Sequence, residues 1–198
     1  MNKRDLILNT MQELFQEGTA GTASVNDIAK RAGIAKGGLY YYFKSKEEVL
    51  DALIERQYEM IIKQCDQLIQ NSNGNALDKL ALLYHSYTTA YVDPSLDEYL
   101  HLPKNAAIHQ KSLAKIVISL STLVTALLKQ GITDGIFTCD YPEEYANILL
   151  STLAFLLDPG IFTWSAEQNL KKLKALAIMM EQGLSVPSGS FSFLYKNQ

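Results

Sequence analysis

Residues 24–48 read Ser-Val-Asn-Asp-Ile-Ala-Lys-Arg-Ala-Gly-Ile-Ala-Lys-Gly-Gly-Leu-Tyr-Tyr-Tyr-Phe-Lys-Ser-Lys-Glu-Glu. Ser24 and Asp27 stand at the spacing of a capping box, so a helix starts there and runs to about residue 32, where Lys30 and Arg31 suit its negative end. Gly33 then opens a short turn. The next segment, Lys36 to Phe43, sets Leu39 and Phe43 four apart on one helical face. Ser45 and Glu48 form a second capping-box pair, and behind it Val49, Leu50, Leu53, Ile54, Gln57, Ile61, Cys65, Leu68 and Ile69 mark one long helix. That helix ends near Gln70, where the run from Asn71 to Asn75 breaks it. Upstream, Leu6, Ile7, Met11, Leu14 and Phe15 recur at spacings of three and four and define a first helix, stopped by Gly18.

Two short helices about a glycine turn, held between longer ones, describe a helix-turn-helix unit whose second helix enters a DNA major groove. An ordinary helical hairpin shows the same spacing, so the residue types decide. Lys36, Gly37, Gly38, Tyr40, Tyr41 and Tyr42 crowd onto a segment too short and too rich in glycine to be chosen for helix propensity. Two glycines, each costing about 1 kcal/mol against alanine, make sense where a backbone must come close to something bulky. Tyrosine hydroxyls and the ammonium groups of Lys36 and Lys46 supply donors for phosphate oxygens. The plain structural alternative makes Tyr40 and Phe43 core and leaves Tyr41 and Tyr42 as surface aromatics. Charge sides with DNA: residues 1–46 carry seven Lys and Arg against four acids, while the remainder carries eleven against seventeen, so a basic end sits on an acidic body.

Residues 4–53 resemble the DNA-binding domain of the TetR family, on the 24–48 stretch above and on the Leu14-Phe15-x-x-Gly18 pattern of the first helix. Tyr42 departs from the His that many members carry, and Gly38 from a Thr or other small polar residue; both bear on operator sequence. The resemblance implies an all-helical homodimer that represses genes until a small-molecule effector binds. It places Ser24, Lys36, Tyr40, Tyr41 and Lys46 on phosphates and Gly37 near the bases, with Leu39 and Phe43 in the core. With few long side chains on the recognition helix, modest direct readout and a sizeable share from DNA shape are expected.

Past residue 75 the periodicity predicts helices near 76–91, 95–101, 105–130, 142–157 and 166–183, separated by Asp93-Pro94, Pro103, Gly131, Asp158-Pro159-Gly160 and Gly183. Nothing reads as a strand. The expected chain is therefore all-α with about nine helices, a helix-turn-helix domain in residues 1–46 and an effector-binding and dimerisation domain in residues 47–198. The family implies dimerisation through the last two helices. Periodicity agrees with Tyr145, Ile148, Leu149, Thr152, Phe155 and Leu156 facing Leu170, Leu173, Leu176, Ala177 and Met180. Tyr84, Tyr87 and Tyr91 recur on one predicted helix and suit a cavity with polar spots, as do His101, Phe155 and Trp164, although core packing explains the tyrosine stripe equally well. The aromatic, acidic body is compatible with hydrophobic or cationic effectors. The tail from Ser185 to Tyr195 mixes serines with aromatics and leaves its packing open.

Other chemistries find little support. Among 198 residues, 47 % hydrophobic and 20 % charged, His85, His101 and His109 form no metal-ligand spacing, and no His-Glu-x-x-His, Gly-x-Ser-x-Gly or phosphate-binding glycine loop occurs. Neither an enzyme nor a metal or other cofactor is expected. Cys65 and Cys139 are isolated and read as inert thiols. No run approaches the roughly 18 consecutive apolar residues of a bilayer span, so a cytoplasmic protein without membrane contact is expected. A helical adaptor that keeps the fold without binding an operator is the remaining alternative, and activation in place of repression stays open.

Overall fold

The computed structural model of the chain describes residues 2–196, and among them the backbone forms nine α-helices and no strand. They are α1 (Lys3–Gln16), α2 (Val25–Arg31), α3 (Lys36–Tyr42), α4 (Lys46–Gln70), α5 (Ala76–Thr88), α6 (Pro94–Leu100), α7 (Ala106–Thr133), α8 (Pro142–Ser151) and α9 (Ala166–Gly183). The backbone of α8 continues as a π turn over Thr152–Leu156, and 3-10 turns cover Pro103–Asn105 and Ser192–Leu194. Start signals act as the sequence suggests except at α4, where the Ser45 hydroxyl accepts the Glu48 N–H but the Glu48 carboxylate takes the Lys44 N–H in place of that of Ser45. Ser24 with Asp27, and Ser165 with Gln168, form reciprocal capping boxes, as do Asn75 and Asp78 at the head of α5.

The chain divides into two compact units, and the break does not fall at residue 46. The first unit runs through Glu59 and takes in Tyr91–Ser112 as well. Its core joins Ile7, Leu8, Met11, Leu14 and Phe15 of α1 to Ile28, Leu39 and Phe43, and then to Val49, Leu50, Leu53 and Ile54 of α4. The opening turns of α4 are thus part of the first core, because the apolar face that begins at Val49 covers the three short helices. Leu96 and Leu100 of α6 enter the same core at 3 % and 2 % exposure, and the Tyr99 ring meets Phe15 edge to face at 5.1 Å. Polar contacts pin the segment: Gln16 Nε2 donates to Asp93 Oδ2 at 3.3 Å, Gln57 Nε2 donates to the Tyr91 carbonyl, and Lys111 pairs with Asp51.

The second unit comprises Met60–Ala90 and the chain from Leu113 onward. By length and composition α7 could cross a membrane, yet Ile116, Leu120, Val124, Leu127 and Leu128 are buried in this unit's core. Gly131 is required there, since a Cβ would stand 2.2 Å from the Phe137 ring. From α8 and α9 the core takes Ala146, Leu149, Leu173, Leu176, Ala177 and Met180. Five residues expected on a dimer face, Leu149, Leu173, Leu176, Ala177 and Met180, are therefore interior to a single chain. The reason is that α9 carries two apolar stripes. The stronger one packs inward and leaves Ala175, Ile178 and Met179 exposed, with Ile148 exposed on α8 and Tyr145, Thr152 and Leu170 half-buried.

The tail is packed rather than loose. Phe191 and Leu194 are buried, and the Glu181 carboxylate, itself 6 % exposed, accepts the Gly189 and Phe191 backbone N–H groups, each at 2.9 Å. Glu181→Ala strands both donors inside the unit and is expected to lower stability by about 2 kcal/mol, read from denaturant melts. An unchanged midpoint would show that water reaches them. Burial also pushes the Cys65 thiol up, as suits a thiol that packs rather than reacts.

Candidate nucleic-acid interface

Recognition by a helix-turn-helix needs one helix held firmly from behind with its front left bare. The α2–α3 turn supplies the mounting: Ala32 caps α2 and Gly33 follows at φ +65°, a left-handed conformation that glycine adopts without strain. Leu39 is wholly buried and Phe43, which ends α3, is 5 % exposed, so both hold the helix as expected. The opposite face is open. Tyr41 is 83 % exposed, Tyr40 and Tyr42 are exposed, and Lys36 is exposed with its ammonium 5.8 Å from the Tyr40 ring centroid. Tyr41 and Tyr42 meet edge to face at 5.0 Å, which restricts both rings. A Cβ built on Gly37 or Gly38 would meet nothing within 4 Å, so no internal packing demands glycine there.

The flanking polar residues are more committed. The Ser24 hydroxyl donates to Asp27 Oδ2 at 2.7 Å and accepts the Asp27 N–H, which holds the Asp27 carboxyl below its usual range. A phosphate would have to compete with that carboxylate for the Ser24 proton. Lys46 Nζ donates to the Gly21 carbonyl at 2.9 Å and keeps two further donors, while burial, aided by the nearby Lys104 ammonium, pulls its pKa down. Arg31, beside the turn, is fully engaged: Glu17 holds both its terminal nitrogens and Glu13 lies 3.5 Å away.

The six effector candidates do not share one environment. α5 ends at Thr88, where the Thr88 and Thr89 hydroxyls bond back to the Tyr84 and His85 carbonyls, so Tyr91 leaves the tyrosine stripe and stands 72 % exposed in the first unit. His101 also belongs to the first unit. It caps α6, bonds through Nδ1 to the Asp97 carbonyl at 2.8 Å, and faces the His109 ring at 4.6 Å. In the second unit the Tyr84 hydroxyl donates to the Leu194 carbonyl and its ring lies beside Phe193, so the tail occupies that face. Tyr87 and Phe155 are half-buried. Trp164 donates to the Leu156 carbonyl, stacks on Phe162 and carries the Lys172 ammonium 3.7 Å from its ring centroid. The tail's role went unseen because Ser-aromatic alternation gives no helical period, while Glu181 sits on a helix whose other signals were apolar.

Residues 7–53 match the family model for bacterial regulatory proteins of the tetR family, and residues 89–179 match the tetracyclin repressor-like C-terminal domain. The transcriptional repressor NemR of Escherichia coli K12 is 33 % identical over 155 residues, covering 74 % of this chain and 77 % of NemR. The chain belongs to the TetR family. It is a DNA-binding transcription regulator, which fits the bare face of α3. Other TetR-family relatives include the repressor KstR2 of Rhodococcus jostii, 28 % identical over 78 % of this chain and 77 % of its own length. The fatty acid metabolism regulator protein of Bacillus subtilis is 29 % identical over 86 % and 88 %. Among solved structures, SmeT, the repressor of a Stenotrophomonas maltophilia multidrug efflux pump, superposes with a TM-score of 0.60 at 21 % identity, over 94 % of this chain and 92 % of SmeT. The reduced form of E. coli NemR gives 0.57, over 94 % and 100 %. Both show the TetR fold.

Proposed function

We propose that this regulator is a cytoplasmic repressor that binds a palindromic operator as a homodimer and releases it when a small molecule enters its second unit. The observation that carries the reading is the front of α3, where Lys36, Tyr40 and Tyr41 stand exposed about two glycines that nothing inside the chain requires. A two-fold dimer presents two such helices and so asks for a symmetric pair of half-sites. Ala175, Ile178 and Met179 of α9 with Ile148 of α8 are the exposed apolar residues that suit a second copy, and Tyr145, Thr152 and Leu170 flank them half-buried. Release is favoured by the anchorage of α6: Leu96, Tyr99 and Leu100 pack among the side chains that seat α3, so a shift of this segment reaches the recognition helix. On phosphates we place Lys36, Tyr40, Tyr41 and Lys46, with Gly37 and Gly38 at the bases, Tyr42 at the rim, and Ser24 chiefly as the cap of α2.

Fluorescence anisotropy with duplexes from the region flanking the chain's own gene tests this. Tyr41→Ala is expected to weaken binding about tenfold on every duplex, as a lost phosphate contact does, and to leave the melting temperature unchanged because the ring is exposed. Loss on one duplex alone would make Tyr41 a base reader. Absence of salt-sensitive binding to any duplex would favour the adaptor reading.

A further inference from the structure

The chain has three arginines, and two are spent internally. Arg31 is held by Glu17 and Glu13, and Arg56 donates to Asn9 Oδ1 at 2.8 Å and Gln12 Oε1 at 3.2 Å while burial lowers its pKa. Arg4 differs: it is exposed, has no carboxylate or amide partner among the described residues, and sets its guanidinium 5.7 Å from the Phe43 ring centroid. Its position is electrostatically poor. Lys3 and Arg4 occupy the first turn of α1, where the helix dipole disfavours cations, and Arg4 also bears on the Arg56 cation. A local rule broken for no internal ion pair or amide bond, with the Phe43 ring as the contact, marks a residue kept for something outside the chain.

Phe43 shows what that is. It directly follows the last residue of α3 and is followed by exposed Lys44, so Arg4 and Lys44 stand at one end of the recognition helix and Lys36 at the other. Seven residues of helix rise about 10 Å, and the major groove is about 12 Å wide. The two cationic ends are thus about a groove's width apart, a separation that would let each reach one sugar-phosphate wall if α3 crosses the groove. We infer that Arg4, braced on the ring that ends α3, grips the DNA backbone on the far wall of the groove and extends the footprint beyond the helix-turn-helix. Arginine suits the place, since its plane lies on an aromatic face while its edge donates in parallel to phosphate oxygens.

The inference rests on the DNA-binding reading, and salt titrations of the full chain separate the two. The probes are a labelled duplex from the chain's own upstream region and a scrambled duplex of equal length. Arg4→Met, which keeps apolar contact with Phe43, is expected to bind both about three- to tenfold more weakly and to reduce the salt slope by about one per protomer. The preference between the duplexes and the melting temperature stay at wild-type values, and Arg4→Lys recovers the slope. Wild-type affinity and slope in Arg4→Met would overturn the inference while leaving DNA binding intact. Loss on the upstream duplex alone would overturn it too, by making Arg4 a base reader. If the wild-type chain binds neither duplex at low salt, DNA binding and this contact fall together.

Discussion

Leu100→Ala is expected to destabilise the first unit by about 3 kcal/mol and to cost DNA binding at temperatures where the wild-type chain binds fully. The residue lies more than fifty positions beyond the helix-turn-helix, yet its side chain is 2 % exposed in a core shared with Leu39, Phe43 and Leu50. Removing a buried isobutyl group forfeits its transfer from water and leaves a cavity that rigid helices fill only in part. Leu102, two residues on and 37 % exposed, supplies the control: Leu102→Ala should stay within about 0.5 kcal/mol of wild type. Thermal melts followed by circular dichroism, with anisotropy on the same samples, read both quantities. If Leu100→Ala melts and binds like wild type, α6 is no part of the core that seats α3, and the coupling argued from it collapses.

Nothing local in the sequence assigns Leu100 to the core that seats α3. Helix existence was legible because every signal was local: Ser24 with Asp27 and Ser165 with Gln168 lie three residues apart, and each cap is formed as its spacing suggests. The front of α3 was legible for the same reason, since a run of glycines and tyrosines is odd wherever it folds. The placement of Leu96 and Leu100 was not, because apolar residues at helical spacing state that a face is buried and not against what. The same ambiguity affects the face proposed for a second copy. Along α9, Leu173, Leu176, Ala177 and Met180 form one stripe and Ala175, Ile178 and Met179 another, each with helical period; only packing tells which turns inward. Tyr91 was misplaced by three residues of helix, through threonine hydroxyls that end α5 early.

The second stripe carries the other large effect. Changing Ile178 and Met179 together to Glu is expected to turn the proposed dimer into a monomer at the single-chain mass of 22.1 kDa and to weaken operator binding at least about a hundredfold. In one chain these side chains are 52 % and 63 % exposed, so the substitutions leave its core untouched and its melting transition should persist. Across a two-fold axis each residue meets the same patch of its copy, so every added carboxylate faces its equivalents, and the like charges come together as they lose water. Each half-site must then be held alone, without the second α3 kept in register beside it. Leu176→Ala separates the two stripes: at 5 % exposure it should lower the melting temperature and leave the dimer standing. Light scattering that finds the double-Glu chain still dimeric would remove this face from the proposal. Dissociation by Leu176→Ala at full stability would return the interface to the stripe first read from periodicity. The two variants therefore decide which side of α9 faces the second copy in the proposed dimer.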